Sequence, residues 1–400
     1  MRIAWLAAAL AAWLALAPPL RAAAPEDPQA PAPPPPAPPA QDQPFPGSTM
    51  REIFGAIAVA LPASMDPGRF ADPARRETVL EALRALSRNA AELESHGAER
   101  GESFRHLSAS LARDAREVTR RYEDGRYDEA GFLLQRLSED CLSCHARLPS
   151  QRDSSLGDRL VREMQLEGLS LPDRARLQTA MRQFDAALDT WEELFRAGDV
   201  SPAHLDLMGY LGDYLTVCIR VLGDSSRALA TLRHLSARDD VPDWLVRDIA
   251  AWTRTLEALR ARGIDSDDGS ALERARTLIR EADALREVPA DHTGLVHDLV
   301  ASSLLYRYTE ARPWRGRDVA EAYYLLGVAE SRIDRSYWLS QADFYLETAI
   351  RMAPQEPFAR DALALLEART VAGYTGSAGT HVPADVQRQL DALRALVEGR

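Results

Sequence analysis

From residue 48 to its end the chain alternates helix-length apolar stripes with helix stops, and strand-like alternation is rare. That restricts the folded part to an all-α architecture. Four helical segments come first. The span 48–61 opens on Ser48 as N-cap, with Glu52 in the first turn. Pro62, Pro67 and Gly68 predict the loop after it. The span 73–95 carries Val79, Leu80, Leu83, Leu86 and Leu93 on one stripe and stops at His96-Gly97. The span 102–122 carries Phe104, Leu107, Leu111, Ala115 and Val118 and stops at Asp124-Gly125. The span 128–148 carries Leu134, Leu137, Cys141, Cys144 and Leu148, and Pro149 closes it. Four helices with short connections predict an antiparallel four-helix bundle over 48–153.

The fourth segment holds the sequence Cys141-Leu142-Ser143-Cys144-His145. Cys-x-x-Cys-His is the attachment spacing for a c-type haem. The two thiols form thioethers to the porphyrin, and the histidine ligates iron. On a helix, residues 141, 144 and 145 share one face, so all three reach one porphyrin. A thioredoxin-like redox pair would sit beside a βαβ pattern, and none is visible. A tetrahedral zinc site needs four ligands, and the third cysteine of the chain, Cys218, lies in the apolar run 214–221. That run predicts a core thiol. One covalent haem c is therefore the cofactor the sequence implies, held by Cys141, Cys144 and His145.

The N-terminus agrees with this chemistry. Residues 1–24 read as a secretory signal peptide. Arg2 precedes a short apolar run, Pro18-Pro19 breaks it, and Ala22-Ala23-Ala24 offers small residues for cleavage. The folded part is expected in the periplasm, with a membrane tether only if the signal stays uncleaved. Residues 25–47 form a Pro-rich linker of extended, semi-rigid character. The chain carries 60 acidic against 48 basic residues, a net charge of −12. Every basic residue is arginine. The acidic excess falls mostly after residue 154, which excludes nucleic acid as a partner and favours a basic protein face.

Residues 154–400 read as further helical hairpins, with helices expected over 174–197, 202–222, 225–236, 243–262, 270–286 and 291–311. One stretch resembles a tetratricopeptide repeat. Tyr323, Leu326 and Gly327 fit its first helix, and Ala342, Leu346, Ala349 and Pro354 its second, across a turn lengthened by Asp334-Arg335-Ser336. A helix over 357–370 follows. Residues 373–383 read as a Gly-rich loop, and 383–398 as a capping helix. The resemblance implies a TPR-like α-solenoid, whose extended concave surface serves protein docking. Trp314, Tyr323, Tyr324, Tyr337 and Trp338 cluster here and are expected in its core.

A four-helix bundle with Cys-x-x-Cys-His at the end of its last helix resembles the cytochrome c-prime family over residues 48–150. The resemblance rests on helix count, on the place of Cys141, Cys144 and His145, and on a first helix led by Met50. It implies His145 as the proximal iron ligand. It also implies a distal face either blocked by an apolar side chain or occupied by a methionine of the first helix, a position that Met50 matches. Where the family carries an arginine four residues earlier, this chain has Pro46, and Arg51 is the nearest substitute. Met65, His96 and His106 are the other candidates for the distal position. Methionine ligation suits electron transfer, whereas an open iron suits NO or CO binding. The expected protein is a periplasmic monohaem cytochrome c, not an enzyme, with a docking domain for a redox partner. A haem-based gas sensor and a scaffold with structural haem are the alternatives.

Overall fold

Among the described residues the apolar stripes fold as helices, and the architecture is all-α. The computed structural model describes residues 47–97, 102–145, 169–262, 271–287, 291–310, 316–333, 341–377 and 379–399. Of residues 47, 97, 102–103, 136, 138–145, 310 and 385 it describes the backbone alone. The expected signal peptide and most of the Pro-rich linker lie outside the described residues. No helix among the described residues is long and apolar enough to cross a membrane.

Helix α1 (Gly47–Ser64) passes through Pro62 instead of stopping before it. A proline in the last turn removes one backbone bond where the ladder is already ending. The Ser64 hydroxyl donates to Leu61 O at 2.7 Å, which satisfies one of the last carbonyls. The expected loop then holds a single turn, α2 (Pro67–Phe70), capped by the Asp66 carboxylate, which accepts from the Gly68 and Arg69 amides. Phe70 is buried, and Tyr122 OH donates to its carbonyl at 3.0 Å.

Three longer helices follow: α3 (Arg76–Gly97), α4 (Glu102–Glu123) and α5 (Tyr127–His145). Contacts fix their directions. Thr49 Oγ1 donates to Glu92 Oε1 at 3.1 Å, so the start of α1 meets the end of α3. Arg84 pairs with Glu123 at 2.8 Å and Arg116 with Glu94 at 3.7 Å, so α3 and α4 are antiparallel. Gly125, in the left-handed region at φ 76°, turns the chain tightly enough for Arg121 to pair with Glu129 at 2.6 Å. Between α5 and α1, Gln135 Nε2 donates to Ser64 O at 2.9 Å. The four long helices thus alternate in direction around a shared apolar core that includes Ile53, Leu83, Leu86, Leu111, Val118 and Leu134.

The remaining helices are α6 (Leu171–Ala180), α7 (Phe184–Arg196), α8 (Pro202–Leu207), α9 (Tyr210–Thr216), α10 (Ser225–Ser236), α11 (Asp243–Arg262), α12 (Ala271–Leu285), α13 (Leu295–Glu310), α14 (Arg317–Ile333), α15 (Gln341–Met352), α16 (Pro357–Gly373) and α17 (Ala384–Glu398). The continuous helix expected over 174–197 is broken at Arg182, whose φ is 61°. The reason lies in packing. Leu177, Ala180 and Met181 bury into the bundle core, whereas Phe184, Leu188 and Trp191 bury into a second core. On one straight helix these positions would form a single stripe facing one core, and the break at Arg182 lets its two halves enter different cores. The helix expected over 202–222 is also interrupted. Gly209 at φ 77° separates α8 from α9, and residues Val217–Leu222 widen into a π-helix.

Gly327 explains how closely α14 and α15 pack. A Cβ on Gly327 would lie 2.6 Å from the Leu346 side chain, so only glycine permits this approach. The expected Gly-rich loop at 373–383 contains a short hairpin in which Thr375–Gly376 pairs antiparallel with Gly379–Thr380. Tyr323 is buried, and Tyr324 stacks on Phe358 with ring centroids 5.8 Å apart, in line with the core placement expected. Trp314, Tyr337 and Trp338 lie outside the described residues.

Cys218 is fully buried, as its apolar run predicts. Burial pushes its thiol up to about 12. Alkylation at pH 8 followed by peptide mass spectrometry is expected to leave Cys218 unmodified in the native protein and to modify it only on unfolding. Rapid modification of the native protein would contradict this burial.

Candidate haem site

Helix α5 is unbroken to His145, so positions 141, 144 and 145 fall on one helical face. By register this is the face of Leu134 and Leu137, both of which pack in the bundle core. The side chains of Cys141, Cys144 and His145 lie outside the described residues, as does the segment from 146 into which the helix was expected to continue.

Position along the bundle relates this helix end to Met50. A Cβ on Gly131 would lie 3.6 Å from Ser64 O, so these residues mark one level of the antiparallel α1–α5 pair. Fourteen residues back from Ser64 is Met50, and fourteen residues on from Gly131 is His145. Both steps span about 21 Å of helix. Met50 and His145 therefore lie at the same end of the bundle. Met50 extends the buried stripe of Ile53, Phe54 and Ile57, and its half-buried side chain packs against the bundle core.

The other distal candidates are placed differently. Met65 follows the far end of α1 and packs, partly buried, against the bundle core. His96 is exposed on the last turn of α3, with Nδ1 2.8 Å from Glu92 O. His106 is two residues beyond Phe104, hence about 200° around α4 from a residue in the bundle core. Its ring stacks on Phe344 of α15, with centroids 4.3 Å apart and planes at 15°. His106 thus faces the C-terminal helices rather than the bundle interior. Helical periodicity alone places His106 off the core stripe of α4. Arg51 is exposed beside Met50, and Pro46 lies outside the described residues.

This donor set fits a c-type haem. Two thiol positions and an imidazole position share the terminal face of one helix, and a thioether from the first helix lies at the same end on the core side. Of the described acids near there, Glu92 accepts from Thr49 Oγ1 and Glu94 meets Arg116. Among the described residues no group of histidine, cysteine and carboxylate side chains could hold a metal ion. His297 is buried in the C-terminal region beside Thr255, and burial pushes its imidazole down.

Comparison with known proteins adds no family to this geometry. No family model, no curated protein and no solved structure matches the chain.

Proposed function

We propose that the chain is an exported monohaem cytochrome c whose bundle carries electrons and whose C-terminal helices, of tetratricopeptide-like solenoid type, dock a protein partner. The observation that carries this reading is the shared bundle end of Met50 and the Cys141–His145 turn. Bound there, haem c supplies one-electron exchange at its iron. Cys141 and Cys144 would tether it, His145 would ligate its iron, and Met50 would supply a second ligand, a thioether that raises the potential and suits an electron carrier. Ile53, Phe54 and Phe104, buried in the bundle core towards this end, would supply apolar surface that excludes water. No residue set argues for catalysis. The signal-like N-terminus supports a periplasmic location, and the net charge of −12 supports a partner with a basic face.

The test is the visible spectrum of periplasmically expressed protein beside its Met50→Ala variant. The expected result is a low-spin spectrum with a methionine-to-iron charge-transfer band that disappears in the variant. A high-spin spectrum unchanged by Met50→Ala would remove Met50 from the site and make the protein a binder of NO or CO. Cys141→Ala with Cys144→Ala is expected to abolish covalent haem, read as loss of haem from the denatured polypeptide.

A further inference from the structure

His297 is a buried imidazole that the proposed function leaves unused. It stands in the first turn of α13 and is only 7% exposed. Three helices meet at its ring. From α11, Thr255 Oγ1 lies 3.4 Å from Nδ1. That hydroxyl gives its hydrogen to Ala251 O at 2.9 Å, so it accepts from the ring. From α12, Glu281 Oε2 lies 3.5 Å from Nε2. Two cations bear on the same ring, Arg262 at the end of α11 and Arg286 just after α12. Arg262 also reaches Glu281, at 3.4 Å. Other charges nearby are directed elsewhere. Asp298, the next residue, pairs with Arg286 and faces Arg332 of α14, and Arg220 of the π-helix pairs with Glu330.

We propose that His297 is an acid-sensitive lock, which holds α11 against the α12–α13 hairpin while its ring is uncharged and lets the three helices open once the ring is protonated. The cause is electrostatic. A proton added at Nε2 makes an imidazolium that is largely cut off from water and stands beside two guanidinium groups. The first turn of a helix is also its positive end, which opposes a further cation there. Glu281 favours the charged ring, but that carboxylate is partly exposed and shared with Arg262. Burial therefore prevails and pushes the imidazole down from its ordinary value. The folded protein keeps the ring neutral at a pH where the opened form takes up a proton. The stability this supplies is present above about pH 6.5, the ordinary imidazole value, and is lost as pH falls below it. Asp298 titrates in the opposite sense, since burial pushes its carboxyl up to about 6 and a proton there favours the folded form. Replacing His297 alone separates the two. The lock does not depend on the haem reading.

Hydrogen exchange on the full-length protein tests this, read in the peptides of α11 and α13 and corrected for intrinsic exchange rates. Wild type, His297→Gln and Glu281→Gln are compared at about pH 7.5 and about pH 5.5, either side of the ordinary imidazole value. An opening that takes up one proton becomes up to about tenfold more favourable per pH unit below that value. Wild type is therefore expected to lose several-fold more protection in acid than His297→Gln, with about tenfold as the ceiling. Glu281→Gln removes the carboxylate that favours the charged ring, so its loss in acid should exceed that of wild type and approach the ceiling. Equal acid loss in wild type and His297→Gln overturns the proposal. So does a Glu281→Gln protein whose acid loss is no greater than that of wild type, a result that decides the matter even where His297→Gln fails to fold.

Discussion

Glu330→Ala is expected to destabilise the protein by about 3–5 kcal/mol, the usual cost of breaking a buried ion pair from one side. Arg220 of the π-helix donates to Glu330 Oε1 at 2.5 Å and to Ser302 Oγ at 2.7 Å. The side chains of the ion pair are only 7% and 8% exposed, and Ser302 is buried and bonded to Glu330 as well. Deleting the carboxylate leaves a guanidinium that water cannot reach. The loss comes from that stranded charge rather than from the net worth of the pair. A double replacement, Arg220→Met with Glu330→Leu, should therefore recover most of the stability that Glu330→Ala loses. Urea denaturation of the full chain reads both, as a shift in midpoint at constant slope. A Glu330→Ala midpoint within about 0.5 kcal/mol of wild type, the range of ordinary surface changes, would mean that Arg220 finds water or another partner.

The second large effect concerns where the bundle ends. The pattern of helix stripes and stops predicts a bundle over 48–153, yet Leu177, Ala180 and Met181 are buried in the bundle core. A fragment covering 47–153 lacks these side chains. Full burial of a leucine and a methionine contributes about 1.5–3 kcal/mol each, so the fragment should be less stable than one covering 47–183 by about 3–6 kcal/mol. The expected observation is a cooperative urea transition with strong near-UV dichroism for 47–183. The shorter fragment should show a broad transition and exposed apolar surface that binds a hydrophobic dye. Equal transitions would show that α6 only rests against the bundle.

Much of the helix content was legible because its signals are local. The stop at Asp124-Gly125 needs only a left-handed glycine. Helix α13 (Leu295–Glu310) was readable within 291–311 because Val296, Val300 and Leu304 recur every four residues. What stayed hidden depends on which core a stripe enters. Nothing near Arg182 announces a break, since the two halves of 174–197 each look like one good amphipathic face. They diverge only because Met181 and Phe184 belong to different cores. Pro62 misled in the opposite sense: a proline near a helix end can be absorbed where a neighbouring hydroxyl supplies the last carbonyl. For the candidate site, Cys141, Cys144 and His145 were readable as a motif. Placing Met50 at their end required the antiparallel directions of four helices, and separating His106 from it required only counting around α4.

The break at Arg182 also has a mechanical consequence. A bend between two bodies usually acts as a joint, but here both arms are clamped within three residues of each other, Met181 in one core and Phe184 in the next. Rotation about that bend would have to pull a buried methionine or a buried phenylalanine out of its socket. A load applied to α7 is therefore passed through α6 to α5 with little slack, so the bend behaves as a rigid elbow and not as a hinge.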